Sequence, residues 1–220
     1  MNEPLRKRIQ HEEFDYQTLL DCLEGYARPR DKITALLRKG VIIRVKKGIY
    51  VFGDDYRRRP YSPELLANLI YGPSYVSLEY ALYFYGLIPE RVEAITSVTC
   101  GRSRIFSTPV GVFTYRMIPL EAFRTGMDRV ETADERSFLI AIPEKALADK
   151  IVSDRGAGGR TQKELYEYLV QDLRLDQSAL RAFNSERLAE IAGRYRSRKT
   201  KLLSDLVRRL ARSGKESAGA

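Results

Sequence analysis

Apolar positions near the start of the chain fall at helical spacing and then change to alternation. The pattern predicts a helix over about 15–25 and a second over about 29–39, in which Ile33, Leu36 and Leu37 stand at i, i+3 and i+4 and share one inward face. Beyond Gly40 the period becomes two. Ile43, Val45, Ile49 and Val51 alternate with Ile42, Arg44, Tyr50 and Phe52, which predicts a hairpin over about 42–52. Its tip reads Lys46-Lys47-Gly48, with glycine where a tight turn needs positive φ.

The stretch "GDDYRRRPYSPE" then concentrates turn formers and charge, and marks a domain boundary. After it, Ser62, Pro63 and Glu64 open one short helix as N-cap, first position and acidic first turn. Ser77 opens another, which Gly86 stops. Both are apolar on nearly all sides and so are expected to be buried on more than one face. Three strand-like segments follow, "EAITSVTC", "GVFTYRMI" and "SFLIAI". A helix starts at Pro143 with Ala146, Leu147 and Ile151 on one side, and Glu144, Lys145, Asp149 and Lys150 read as exposed charge support on it. Beyond the flexible "DRGAGGR" come "TQKELYEYLVQDL", "DQSALRAF" and one long helix over about 185–212, striped by Leu188, Ile191, Tyr195, Leu202, Leu206 and Leu210. The expected fold class is α+β: an N-terminal winged helix-turn-helix over 1–59, a second domain over 60–213 with a mixed α/β middle and a helical C-terminal end, and a disordered tail over 214–220.

Charge changes this picture by its distribution. The net charge is +9, and it divides into +5 over residues 1–60, −2 over 61–150 and +6 over 151–220. Basic ends attract nucleic acid, an anionic surface or an acidic partner. Residues 28–59 alone carry eleven Lys and Arg against three acids. With Ile33, Leu36 and Leu37 turned inward, Lys32, Thr34 and Arg38 are left outside, and Arg28 and Arg30 stand at the helix entrance. Small side chains let such a helix approach a major groove, and arginines meet phosphates or guanine edges. A hairpin directly after a recognition helix is a wing, so Arg44, Lys46 and Lys47 join the candidate DNA contacts. The alternative is a helix and hairpin with an ordinary charged surface. The linking turn "GYARPR" is short, where a standard helix-turn-helix carries another helix.

Several segments together resemble a known family, the AbiEi-type antitoxins of bacterial type IV toxin–antitoxin systems. They are "LLRKGVIIRVKKGIYVF", "GPSYVSLEYALYFYGLIPE", "TYRMIP", "IAIPEKALADKI" and "SERLAEIAGRYRSRK", which span about residues 15 to 200 in the family's order. The resemblance implies a winged-helix domain that represses its own operon by binding inverted repeats in double-stranded promoter DNA. It further implies a C-terminal domain that neutralises a nucleotidyltransferase-type toxin, directly or functionally. A non-catalytic adaptor, with the winged helix as a dimer or partner interface, is the other expectation.

Enzyme chemistry finds little support in the residues. No Asp or Glu has Lys two positions on, as a restriction-type nuclease would, and the one histidine, His11, lies in a polar terminal segment. Too few His and Cys remain for a zinc site, so neither metal nor cofactor is expected. Cys22 and Cys100 are far apart, which fits reduced thiols in a cytoplasmic protein, with a structural or redox pair as the alternative. No apolar run is long enough for a membrane span and no secretory signal is visible. The cluster Arg194, Arg196, Arg198 and Lys199 reads either as a solvated helix face or as a partner-binding surface.

Overall fold

The computed structural model describes residues 3–132, 135–157 and 161–217. Its first elements are α1 (Glu3–Arg8), β1 (Glu13–Asp15), α2 (Tyr16–Asp21), α3 (Pro29–Arg38), β2 (Ile42–Lys46) and β3 (Ile49–Phe52). The second helix and the hairpin stand where the periodicity puts them. Two elements were illegible, α1 and β1. A six-residue helix offers too few turns for a period, and β1 hides behind carboxylates that are buried here, Glu12 and Glu13. α1 thus precedes the α2–α3 pair, and among the described residues no helix lies between its members. β1, β3 and β2 form an antiparallel sheet in that order.

The rest builds on a six-stranded mixed sheet of order β6-β7-β5-β4-β9-β8. In chain order come α4 (Pro63–Ile70), β4 (Ser74–Val76), α5 (Leu78–Phe84), β5 (Ile95–Thr99), β6 (Arg104–Thr108), β7 (Gly111–Met117), α6 (Leu120–Phe123), β8 (Met127–Glu131), β9 (Ser137–Ala141) and α7 (Pro143–Ser153). β5, β7 and β9 are the three strands read from alternation. β4 was hidden as three residues inside an apolar run, and β6 and β8 are sheet edges whose exposed polar positions blur the period. The helical end contains α8 (Gln162–Glu167), a π-helical turn (Tyr168–Asp172), α9 (Gln177–Ala182), α10 (Ser185–Tyr195) and α11 (Arg198–Ser217). The class is therefore mixed α+β.

Three expectations need correction. The long helix over 185–212 is two helices, because Arg196 adopts a left-handed conformation (φ 51°) that ends α10. No glycine marks the break, and of the expected stripe beyond it only Leu206 is fully buried, joined by Leu203 and Val207, while Leu202 and Leu210 are half-buried. The tail expected to be disordered over 214–220 is helical as far as Ser217, with 218–220 outside the described residues; so are 158–160 of the glycine-rich linker. Glu144, Lys145 and Asp149 are buried, not exposed. α7 packs against α5, α10, α11 and β9, so it has almost no solvent face.

The two faces of the β2–β3 hairpin tie the chain together. Ile42, Tyr50 and Phe52 enter a core with Leu19, Ile33 and Leu36, whose buried members all lie within the first 52 residues and against which Tyr56 packs. Val45 and Val51 enter the large core of the six-stranded sheet, with Ile43 and Ile49 packed beside it. The alternation read from sequence is thus buried on both sides. Across the "GDDYRRRPYSPE" boundary, the buried Glu13 carboxylate accepts from Arg136 and from the Ser62 backbone N–H.

Candidate nucleic-acid interface

α3 begins at Pro29, whose fixed φ suits a first helical position, and buries Ile33 and Leu36. That leaves Arg30, Thr34 and Arg38, at i, i+4 and i+8, as one exposed stripe. The Thr34 hydroxyl donates to the Arg30 carbonyl at 3.1 Å, one turn back along the same stripe. Arg30, Arg38, Arg44 and Lys47 are exposed and enter no ion pair among the described residues. Arg44 stands opposite Tyr50 on the hairpin, on the α3 side.

Not all eight candidate residues join this surface. Arg28 approaches Asp31 at 3.9 Å with both side chains in solvent, a pairing worth little. Lys32 is half-buried over the Tyr26 ring at 5.0 Å, off the stripe. Lys46 is lost altogether. A bulge between Arg44 and Lys46 turns its ammonium away from the tip, where it donates to the Ile70 carbonyl at 2.6 Å and lies 4.7 Å from the Phe106 ring. Little of the hairpin projects beyond the sheet: Tyr16 N–H reaches the Gly48 carbonyl at 2.9 Å, so β1 covers β3 up to the turn.

The second basic cluster divides in the same way. Lys199 donates to the carbonyls of Ile151 and Asp154, at 3.1 and 2.6 Å, and so terminates α7. Arg194 lies 3.9 Å from Glu121 at the surface, and Arg196 and Arg198 are exposed. Lys199→Ala is therefore expected to remove about 1.5–3 kcal/mol of charge-assisted hydrogen bonding. For a chain of this size that lowers the melting temperature by about 3–12 °C. Charge reversal at Arg194 and Arg196 should leave it unchanged. A melting curve for Lys199→Ala that overlays the wild type would return Lys199 to the surface cluster.

Sequence reasoning missed a buried polar centre between α5, α7 and α10. Asp149 accepts from Lys145 and from the Tyr195 hydroxyl, and from the Ser77 hydroxyl at 2.6 Å. The Ser77 side chain is therefore committed to Asp149 and makes no cap hydrogen bond to α5. Lys145 also lies within 3.3 Å of the Tyr195 hydroxyl and 5.6 Å from the Tyr75 ring. Burial pulls the Lys145 ammonium below its ordinary value against the opposing pull of Asp149, and pushes the Tyr195 hydroxyl upward. The one available signal was the pair Ala146 and Ala148, small residues that let neighbouring helices close over α7.

Among the described residues no helix is long and apolar enough to cross a membrane. No protein-family model matches the chain, and no curated protein matches it.

Proposed function

We propose that the first 59 residues form a winged helix-turn-helix that binds double-stranded DNA, and that the chain is a non-catalytic antitoxin that represses its own operon. The observation that carries the DNA half is the exposed Arg30–Thr34–Arg38 stripe on a helix followed at once by a hairpin. The order α1-β1-α2-α3-β2-β3, with sheet order β1-β3-β2, supports that reading, since it is the order of a winged helix. α3 is the recognition helix, and Arg44 and Lys47 meet phosphates beside it. The antitoxin half rests on the family resemblance of the sequence segments, with inverted repeats in its own promoter as the operator and a nucleotidyltransferase-type toxin as the protein opposed. A protein-binding adaptor is the second reading, favoured by one observation: the hairpin already serves as an interface to the rest of the chain through Val45, Val51 and Lys46.

Salt titration of binding to its own promoter tests the DNA half. Each phosphate contact contributes roughly −0.9 to the log–log slope. Arg30→Ala with Arg38→Ala and Lys47→Ala should flatten that slope by about two to three units and weaken binding about tenfold or more. Lys46→Ala should leave the slope untouched and lower only stability. A triple variant with the wild-type slope would remove this surface from DNA. The antitoxin half is read by co-expression with the toxin, where a full-length chain that leaves growth arrested would sink it.

A further inference from the structure

The helical layer on one side of the six-stranded sheet is incomplete. On β7, Phe113 and Tyr115 are buried while Val112 and Arg116 are exposed, so one face of the strand is covered and the other open. On the covered side Tyr71 packs against both Phe106 and Tyr115, and the Tyr115 hydroxyl donates to the Ala67 carbonyl at 2.6 Å. On the other side α5 packs on β5, where the Tyr80 N–H donates to the Thr96 hydroxyl at 3.0 Å. Beyond it Ile105 is 70% exposed and Val112 40%. A cleft of about 990 Å³ lies over this open face, walled by residues 91–94 and by the end of α7.

The charges around the cleft are unbalanced. Glu79 and Asp154 on its wall are both held by Lys150, at 2.7 and 2.8 Å. Burial alone would raise the Asp154 carboxyl, yet hydrogen bonds from Lys150, Tyr168 and the Gly156 N–H outweigh it and hold the group at about 2. Arg91, Arg104, Arg116 and Arg155 line the same cleft, are exposed, and enter no ion pair or hydrogen bond among the described residues. Glu93 is the one lining carboxylate that Lys150 does not neutralise. The two sheet edges differ too. β8 carries Asp128, Arg129 and Glu131, charges of both signs that blunt an edge, whereas β6 offers Arg104 and Ile105.

We propose that this cleft docks an acidic segment of another protein, with its carboxylates on the four arginines and its aliphatic side chains on Ile105 and, beside the cleft on the same face of β7 as Thr114, on Val112. An apolar centre ringed by arginine is the anatomy of a protein interface. Single-stranded nucleic acid is disfavoured because the open floor, Thr96, Thr114 and Ile105, offers no ring for a base to stack on: the one lining aromatic, Tyr115, is 1% exposed, with its hydroxyl on the Ala67 carbonyl. The site lies outside the DNA-binding unit and does not depend on that reading.

The probe is a set of twelve-residue peptides selected from a random library on the full chain. Selected peptides are expected to carry an excess of Asp and Glu interleaved with Leu, Ile or Val. In fluorescence anisotropy they should bind the wild type at least about tenfold more tightly than Arg104→Glu/Arg116→Glu. Arg91→Glu/Arg155→Glu, on the opposite wall, should reproduce the loss. These side chains are exposed and unpaired, so both variants should keep the wild-type melting temperature and promoter affinity. Peptides without acidic excess, or equal affinity for wild type and both variants, overturn the proposal. So does promoter affinity that falls with the cleft substitutions, or a twelve-nucleotide single strand that outcompetes the peptides and is lost by the same changes.

Discussion

Asp149→Ala is expected to destabilise the chain by about 3–5 kcal/mol, the range for breaking a buried ion pair from one side. Asp149 and Lys145 are fully buried, and the carboxylate accepts from Lys145, Tyr195 and Ser77 at once. Its removal strands an ammonium and two hydroxyls in a core that also holds Tyr75, Leu147 and Ile151. The melting temperature should fall by about 6–20 °C. Replacing both members, Lys145→Met with Asp149→Leu, should recover part of the loss, since hydrophobic residues often substitute for a buried pair at little cost. The unpaired Ser77 and Tyr195 hydroxyls keep that recovery incomplete. A double variant as unstable as the single one would mean that the network is needed as a whole.

The same centre predicts a direction in pH. Burial holds the Lys145 pKa in the folded state below its ordinary 10.5. Between the lowered value and 10.5 the unfolded chain binds more protons than the folded one, so this group makes stability rise with pH in that window. Without Asp149 the only group raising the Lys145 pKa is gone, and the window widens downward. The stability gap between Asp149→Ala and wild type should therefore narrow as pH climbs from about 6 to about 9.5. Urea unfolding at several pH values reads this, and a gap that stays constant would place the ammonium in contact with water.

Much of the fold was legible where one face of an element is wet. α3 and the strands β7 and β9 each carry a period that side-chain exposure explains, whereas the hairpin alternates between two buried cores and β5 is buried almost throughout. The failures share one cause. α7 reads as an amphipathic helix with a charged surface only if its charges face water, and here Glu144, Lys145 and Asp149 find partners inside. Glu13 disguised β1 in the same way, by pairing with Arg136 from a segment 123 residues away. A single chain of letters shows charge but not its partner. Lys46 and Lys47 make the point at the candidate interface: adjacent and chemically identical, they follow a bulge between Arg44 and Lys46 that sends Lys46 to Ile70 and leaves Lys47 in solvent.

A chain cut to begin at Tyr61 is expected to lose most of its stability, although the sequence marks a boundary there. Val45 and Val51 are buried in the core of the larger part, and burying a side chain of that kind contributes about 1.5–3 kcal/mol. The cut strips these two, uncovers the surface beside Ile43 and Ile49, and removes the ammonium over Phe106. It also leaves the half-buried Arg136 guanidinium without the Glu13 carboxylate. Losing a charge-assisted hydrogen bond costs about 1.5–3 kcal/mol, so Glu13→Ala in the full chain, which removes the acceptor shared by Arg136 and the Ser62 N–H, should reproduce part of the effect without any truncation. The remainder belongs to the hairpin face. Because native domains are stable by only about 5–15 kcal/mol, the two losses together bring the fragment close to unfolding. The full chain should accordingly melt in one transition by circular dichroism and by tyrosine fluorescence alike. A 61–220 fragment that melts within a few degrees of the full chain, or two separated transitions in the intact protein, would show instead that the hairpin merely rests on a unit that needs no cover.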